Sequence, residues 1–429
     1  MLPPGWEKRL HQTTNRYFYI DHNRGVTQWS PPEMPSTANL KGTYTTTLKE
    51  EPSVSSSRGL SRSHSSPDIK KQLEEEEEKS KKIAPRPSVN RGSKPVPRAQ
   101  NQVVKQTAHS LRKRDLNPVY GNVGPALTGL RNLGNTCYMN STIQCLNNAS
   151  PLITYILNDD YISDVNRESS RGMYGEVVDD FAVVVKALWS QQYRSITPRD
   201  LKAVVAKYNP MFAGYQQQDS QEFLTFLLDG LHEGLNEGQL KSTLRCGTCS
   251  KTSVTFQAFM FLSLPIPSFS KCSLQDCIRA FLKPEMMTGS SRWKCPRCKV
   301  ERDSEKRIEI WKLPPILLVG LNRFYSEGMW MQKKSSYVDF PVNGLDLSQY
   351  IAGSRPRNHY NLYGISNHYG TMEGGHYTAF CRNPVNKRWY KFDDQDVYEI
   401  STSDVKTSAA FVLYYTSIEM PAPRYVPRL

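Results

Sequence analysis

Five of the nine cysteines in this 429-residue chain sit where chemistry could use them. Cys137 lies in "RNLGNTCYMNS", between a polar turn and the helically spaced apolar residues Met139, Ile143 and Leu146. Asn135 or Thr136 suits the N-cap of that helix. A cysteine there faces backbone N–H groups and the positive end of the helix dipole. Both favour the thiolate, which is the form that attacks. A buried cysteine more often simply fills a core, so a nucleophile also needs a base and a group to orient that base. His376, in "EGGHYTAF", follows two glycines and opens a strand-like run. Asp393, in "RWYKFDDQD", closes an apolar strand further on. A hairpin between them would set imidazole beside carboxylate, hold one tautomer and stabilise the imidazolium. His368, in "SNHYG", is the competing base and reads as a residue that shapes the site.

The other four form two C-x-x-C knuckles, "CGTC" at Cys246 and Cys249 and "CPRC" at Cys295 and Cys298. Each bends two thiolates toward one point, and two such pairs complete the tetrahedron of a structural zinc ion. The intervening stretch is longer than a single zinc ribbon uses. It contains "KTSVTFQAFMFLSLPIP", which reads as paired strands, so the knuckles belong at the tip of a long β-arm. A redox C-x-x-C would want a thioredoxin-like helix after it, and none is evident. Cys145, Cys272, Cys277 and Cys381 show no partner pattern and read as core or surface thiols.

The elements that carry these residues fall in the third of three compositional zones. Hydrophobic residues make up 38% of the chain and its net charge is +14, but +9 of that lies in residues 1–125. Nucleic-acid binding would want those charges on a folded face with stacking aromatics. Residues 36–125 have few aromatics; they are rich in Ser, Pro, Lys and Glu, with five glutamates at 74–78. Such a segment buries too little apolar surface to fold alone and reads as a disordered linker. The opening "MLPPGWEKRL" lacks the apolar run of a secretory signal. The longest apolar run, "PPILLVGL", is too short to span a bilayer and reads as a buried strand. A reducing, cytoplasmic compartment is the expectation, where cysteines serve as ligands or nucleophiles.

The first zone, residues 1–35, has two tryptophans, Trp6 and Trp29, around "YFYID" and a closing Pro-Pro. "RYFYIDH" and "VTQW" read as two strands about the turn "HNRG". The pattern resembles a WW domain. The resemblance implies a small all-β module that binds proline-rich ligands on Phe18, His22, Thr27 and Trp29. The plain alternative is an aromatic mini-core without a ligand.

The third zone, residues 126–418, carries three boxes in order: "GLRNLGNTCYMNSTIQCL", "YQQQDSQEFLTFLLDGLHE" and "NHYGTMEGGHYTAFCR…WYKFDD". They resemble the ubiquitin-specific proteases, papain-like enzymes that remove ubiquitin. The resemblance implies an α+β hand: a helical thumb, a β palm and zinc-bearing fingers. Asp219 and Glu222 open a thumb helix in a D-x-x-E capping pattern. The resemblance implies Cys137 as nucleophile, His376 as general base, Asp393 as third member and Asn132 as oxyanion donor, with Asp394 as a helper. It implies ubiquitin and ubiquitinated proteins as partners and no nucleic acid. Residues 419–429 read as a tail.

Within the family, "RIEIWKLPP", "SNHYGTMEGGHYTAF" and two linker stretches look like an endosomal member. "RSHSSP" has the spacing of a 14-3-3 site with Ser65 as phosphate acceptor. "PSVNRGSKP", with Pro87, Arg91, Lys94 and Pro95, resembles a ligand for STAM-type SH3 domains. These imply association with endosomes through partners. One departure stands out. "GLHEGLNEGQLKSTLRC" runs straight from the thumb helix into the first finger strand, where the family carries a further helical segment. The rival reading is therefore an adaptor built on an inactive protease scaffold.

Overall fold

The computed structural model describes residues 6–11, 16–21, 26–28, 114–164, 173–231, 238–327, 330–353, 359–371, 374–421 and 423. The N-terminal module has three strands, β1 (Trp6–His11), β2 (Arg16–Asp21) and β3 (Val26–Gln28), in the order β1-β2-β3. Ile20 stands opposite Thr27, and Tyr19 opposite Gln28. The sequence argues for two of these strands. It hides β1 because Glu7, Lys8 and Arg9 interrupt the alternation of "WEKRLH". Of the expected ligand face, Phe18 lies on β2 and Thr27 on β3. His22, Trp29, Ser65, Pro87, Arg91, Lys94 and Pro95 lie outside the described residues.

The second folded unit starts before residue 126. β4 (Val119–Tyr120), β5 (Gly129–Leu130) and β6 (Tyr193–Ile196) make a small sheet in the order β4-β6-β5. Arg114 forms an ion pair with the buried Asp180, and Leu116 O accepts from Thr197 N at 2.7 Å. The stretch 114–125 is thus part of the domain, not linker. A two-residue strand between Pro and Gly has no period to read.

Among the described residues the helices that come next are α1 (Cys137–Asn147), α2 (Ser150–Leu157), α3 (Tyr161–Asp164), α4 (Met173–Trp189), α5 (Arg199–Tyr208) and α6 (Ser220–Leu231). Every residue of α1 is buried. Its apolar stripe Met139, Ile143 and Leu146 joins the main core. Its polar side is buried too, and part of it pairs with the surrounding layers, although Tyr138 OH, Asn140 Oδ1, Gln144 Oε1 and Asn147 Nδ2 have no partner among the described residues. Gln144 Nε2 donates to Thr128 O at 3.0 Å, Ser141 Oγ meets Ser366 Oγ at 3.0 Å, and Asn147 Oδ1 accepts from Trp189 Nε1 at 3.0 Å. An unpaired buried polar group would be costly, so these partners fix the axis of the helix.

From Gly238 onward the chain is mostly strand. β7 (Gly238–Cys246) and β8 (Thr252–Phe259) pair as a hairpin, and β9 (Phe261–Pro265), β10 (Lys271–Ser273) and α7 (Leu274–Phe281) follow. Next come β11 (Glu285–Met287), β12 (Trp293–Lys294), β13 (Glu301–Arg302), β14 (Ser304–Lys312) and β15 (Ile316–Asn322). After β16 (Phe324–Glu327), β17 (Trp330–Lys333) and β18 (Tyr337–Asp339) come β19 (Asn361–Gly370) and β20 (Gly375–Arg382). β21 (Trp389–Asp393), β22 (Asp396–Ile400) and β23 (Ala410–Thr416) complete the chain of strands.

These strands build two large sheets. The palm has seven, in the order β22-β21-β20-β19-β23-β15-β9. The fingers have four, in the order β11-β14-β7-β8, with β12 and β13 as a separate hairpin. The arm expected around residues 250–267 therefore divides: β8 pairs with β7, and β9 runs parallel to β15 in the palm. Successive side chains of a strand point to opposite faces, and the palm is buried on both. Leu318, Ala379, Cys381, Val412 and Tyr414 pack toward the helices. Leu317, Val319, Phe380, Leu413 and Tyr415 pack into a second core with α7. α6 ends at Leu231 and β7 begins at Gly238; the residues between, where the shortened segment falls, lie outside the described residues.

Candidate active site

α1 brings Cys137 to the site as its first residue. Thr136 occupies the N-cap position, but its side chain does not cap the helix. Its Oγ1 instead accepts from Leu133 N at 2.9 Å. The expected cap is thus absent, which leaves the first N–H groups of α1 for another acceptor. A helix N-terminus with free donors favours an anion. Asn135 sits before the cap at φ 55° and donates from Nδ2 to Tyr215 O at 2.7 Å.

The palm supplies the base. β20 and β21 form the expected antiparallel hairpin, and His376 Nε2 lies 2.6 Å from Asp393 Oδ1. That leaves Nδ1 to face the thiol. A hydrogen bond with Cys137 raises the imidazole; partial burial opposes it and Asp393 adds to it, so the ring titrates at about 9. Burial pushes the Asp393 carboxyl up, but Lys391 and His376 outweigh it and hold the group below its usual range. Lys391 Nζ reaches Asp393 Oδ2 at 2.8 Å. Lys391 is absent from the sequence reading, yet its position two residues before Asp393 on one strand was a usable signal.

Asn132 and Asp394 lie together beside the His376–Asp393 pair, with an Asp394 carboxylate oxygen within 4.8 Å of a ring nitrogen of His376 and a carboxylate oxygen of Asp393. Asn132 Oδ1 accepts from Gly134 N at 2.9 Å and from Thr136 N at 3.1 Å. Its Nδ2 donates to Asp394 Oδ2 at 2.9 Å, leaving one N–H for a further acceptor. Asp394 Oδ1 accepts from Asn140 Nδ2 at 2.8 Å, and Asp394 O accepts from Leu130 N at 2.9 Å. Asp394 holds φ 51°, a left-handed conformation uncommon outside glycine. It thus bridges the turn before α1 to the first turn of α1. Nothing local in the sequence marks Asn140 for this contact.

His368 is 3% exposed, boxed by Phe324, Tyr377 and Phe411 with ring centroids 4.5–5.8 Å away. Burial first, then the charges of Lys333, Arg323 and His376, lower it to about 4. It stands on β19 directly opposite Tyr377 of the histidine strand, and its burial favours the neutral ring. Asp219 accepts from Gln221 N at 2.7 Å and so caps α6 as its sequence suggested.

At the finger tip the four sulfur atoms of Cys246, Cys249, Cys295 and Cys298 all lie within 4.8 Å of one another. The two knuckles share one backbone pattern. Cys246 N donates to Lys251 O and Ser250 N to Cys246 O; Cys295 N donates to Val300 O and Lys299 N to Cys295 O. Ser250 and Lys299 take the same left-handed φ, 56° and 61°. The Cys249 N–H lowers the Cys246 thiol to about 6. Four converging sulfurs, with the Cys246 and Cys295 thiols held below their ordinary range, fit a tetrahedral metal ion. Cys145 and Cys381 meet at 3.9 Å and Cys272 and Cys277 at 3.9 Å, all four buried, as core thiols.

A helix-borne cysteine facing a strand-borne histidine–aspartate pair, with a four-cysteine arm above a seven-stranded palm, defines the thumb, palm and fingers of a papain-like fold. Residues 128–415 match the family model described as ubiquitin carboxyl-terminal hydrolase, and residues 2–32 match the WW domain. The chain belongs to the ubiquitin carboxyl-terminal hydrolase family. It is 36% identical over 340 residues to ubiquitin carboxyl-terminal hydrolase 2 of Rattus norvegicus, covering 69% of this chain and 55% of that protein. It is 31% identical over 383 residues to ubiquitin carboxyl-terminal hydrolase 21 of Homo sapiens, covering 73% and 67%. The chain thus spans little more than half the length of the first relative. Among solved structures it is similar to the SAGA DUB module bound to monoubiquitin, with TM-score 0.58 and 27% identity over 74% of each chain. The same module bound to ubiquitin aldehyde gives TM-score 0.57 and 25% identity, covering 75% and 76%.

Proposed function

We propose that this chain is a cysteine-type ubiquitinyl hydrolase that cuts the peptide or isopeptide bond after the C-terminal glycine of ubiquitin. The observation that carries the reading is the His376–Asp393 pair at 2.6 Å with Cys137 as the ring's other partner. The imidazolium holds the Cys137 thiolate beside it. The sulfur attacks the glycine carbonyl, and the oxygen that becomes negative points to the free N–H groups of α1 and the spare N–H of Asn132. His376 then gives its proton to the departing amine, which leaves as the C–N bond breaks. Water, deprotonated by His376, attacks the thioester and frees the carboxylate and the thiol. Asp393 keeps the tautomer and does not take the proton.

Cys246, Cys249, Cys295 and Cys298 would hold zinc, which supplies a structural cross-link to the fingers and no step of the reaction. The ubiquitin-bound structures that share this fold support ubiquitin as the partner that the fingers and palm grip. The likeness of the linker to the endosomal deubiquitinase UBPY supports a finer reading: STAM-type SH3 domains on Pro87, Arg91, Lys94 and Pro95, 14-3-3 on phosphorylated Ser65, and a place in endosomal sorting. The WW module adds a proline-rich ligand. The test compares wild type with Cys137→Ala on a ubiquitin C-terminal fluorogenic substrate. A Cys137-dependent rate is expected; equal rates would leave the inactive scaffold and its adaptor role.

A further inference from the structure

We infer that Gln217 is a positioning residue for His376, acting as a side-chain latch between thumb and palm. The inference rests on the proposed Cys137–His376 chemistry. On the β19 side, β20 is paired from its first residue, with Gly375 opposite Gly370. On the β21 side, pairing reaches no further than Ala379 opposite Phe392. The first residues of β20, His376 among them, therefore have no strand on that side. Gln217 takes the missing place at Gly375. Its Nε2 donates to Gly375 O at 2.5 Å, and its Oε1 accepts from Gly375 N at 2.7 Å. A primary amide offers a donor and an acceptor in one plane, so it mimics the edge of a strand. Glutamate lacks the donor and would set oxygen against the Gly375 carbonyl.

The latch is anchored at both ends. Gln217 lies in the loop before α6, and its neighbours are tied down: Gln218 Nε2 donates to Met211 O at 2.9 Å, and Gln221 Nε2 to Leu321 O at 3.2 Å. At the far end, Gly375 has no room to drift. A Cβ on it would lie 2.3 Å from His368 Nε2 and 2.6 Å from Tyr369 O. The peptide bond that Gln217 holds is therefore the one that sets the backbone of His376. A thumb loop thereby fixes the distance between a base on the palm and a nucleophile on the thumb helix. A misplacement of about 1 Å at such a pair costs on the order of 100-fold in rate.

The test uses the full chain with Gln217→Glu and Gln217→Ala beside wild type and Cys137→Ala. Two rates are followed against pH: alkylation of Cys137 by iodoacetamide, and hydrolysis of the ubiquitin substrate. A latch predicts that both Gln217 variants lose about tenfold or more in alkylation near neutral pH, with kcat falling and KM little changed. Wild-type alkylation rates and pH profile in both variants would overturn it, as would a change confined to KM, which marks a substrate contact instead. If wild type itself shows no Cys137-dependent hydrolysis, the proposed function fails first. If wild type is active and the variants match it, only the latch fails. Melting temperatures separate a folding loss from either: a variant that melts like wild type and reacts slowly supports the latch. If both variants melt well below wild type, single turnover at reduced temperature on the folded protein decides, and a wild-type rate there overturns the latch.

Discussion

His376 and Asp393 meet diagonally across the β20–β21 hairpin, not as directly opposed residues. The ladder ends with Ala379 opposite Phe392, and that register carried one residue further sets Asp393 level with Thr378. His376 lies two residues further along the same face, within the reach of a diagonal pair. Its Nε2 is 2.6 Å from Asp393 Oδ1, while Asp393 Oδ2 is taken by Lys391 at 2.8 Å.

Asp393→Asn keeps the shape and removes the charge. It should lower kcat on the ubiquitin substrate by about 10³- to 10⁴-fold, through the wrong tautomer and an unsupported imidazolium. A loss of less than about tenfold in steady-state kinetics would shift the orienting role to Asp394.

The two histidines set opposite pH limits on stability. His376 is raised to about 9, so its contribution is complete below the usual 6.5 and is lost as pH rises toward 9. His368 is lowered to about 4, so its contribution is complete above 6.5 and is lost as pH falls toward 4. Thermal unfolding followed by circular dichroism should show a maximum near neutrality with both flanks falling. His368→Phe should flatten the acid flank alone. Hydrolysis should decline above about pH 9 as the imidazolium is lost.

Purified protein should contain one zinc ion per chain by elemental analysis. Cys246→Ser should release it, raise KM for ubiquitin substrates more than it lowers kcat, and increase proteolysis between residues 246 and 303. Metal-free protein with full ubiquitin affinity would remove zinc from the account.

Gly375→Ala should destabilise the protein by about 1–3 kcal/mol, the usual cost of forcing atoms into a packed site. It should also cut hydrolysis, because the new methyl group meets His368 and the Tyr369 carbonyl. Gly374→Ala, with nothing within 4 Å of the added carbon, is the control and should melt like wild type. Urea titration of the pair checks both.

A peptide of residues 85–97 should bind a STAM-type SH3 domain in calorimetry. Arg91→Ala with Lys94→Ala should abolish that heat, because both cations are read by acidic groups beside the aromatic groove. Unchanged affinity in the double variant would reduce the stretch to plain linker.

Much of the site was legible in the sequence because its signals are local. The cysteine before a helical stripe, the glycine-flanked histidine, the aspartate at a strand end and the two knuckles each announce themselves within about ten residues. The apolar run at 316–322 likewise appears as an interior strand of the palm, between β23 and the edge strand β9. Other features depend on the tertiary fold. Asn132 finds Asp394 across 262 residues of chain, and Gln217 finds Gly375 across 158. His368 read from sequence as a residue that shapes the site rather than as the base, and the fold supplies the reason, a buried aromatic box that favours the neutral ring. The run from Thr252 to Pro265 looked like one pair of strands, and only the assembly of two sheets sends its halves to fingers and palm. Residue type and local period report which groups can do chemistry. Which of them meet is decided by the packing of α1 between helices and sheet, which brings groups far apart in the chain, such as Asn140 and Asp394, within hydrogen-bond reach.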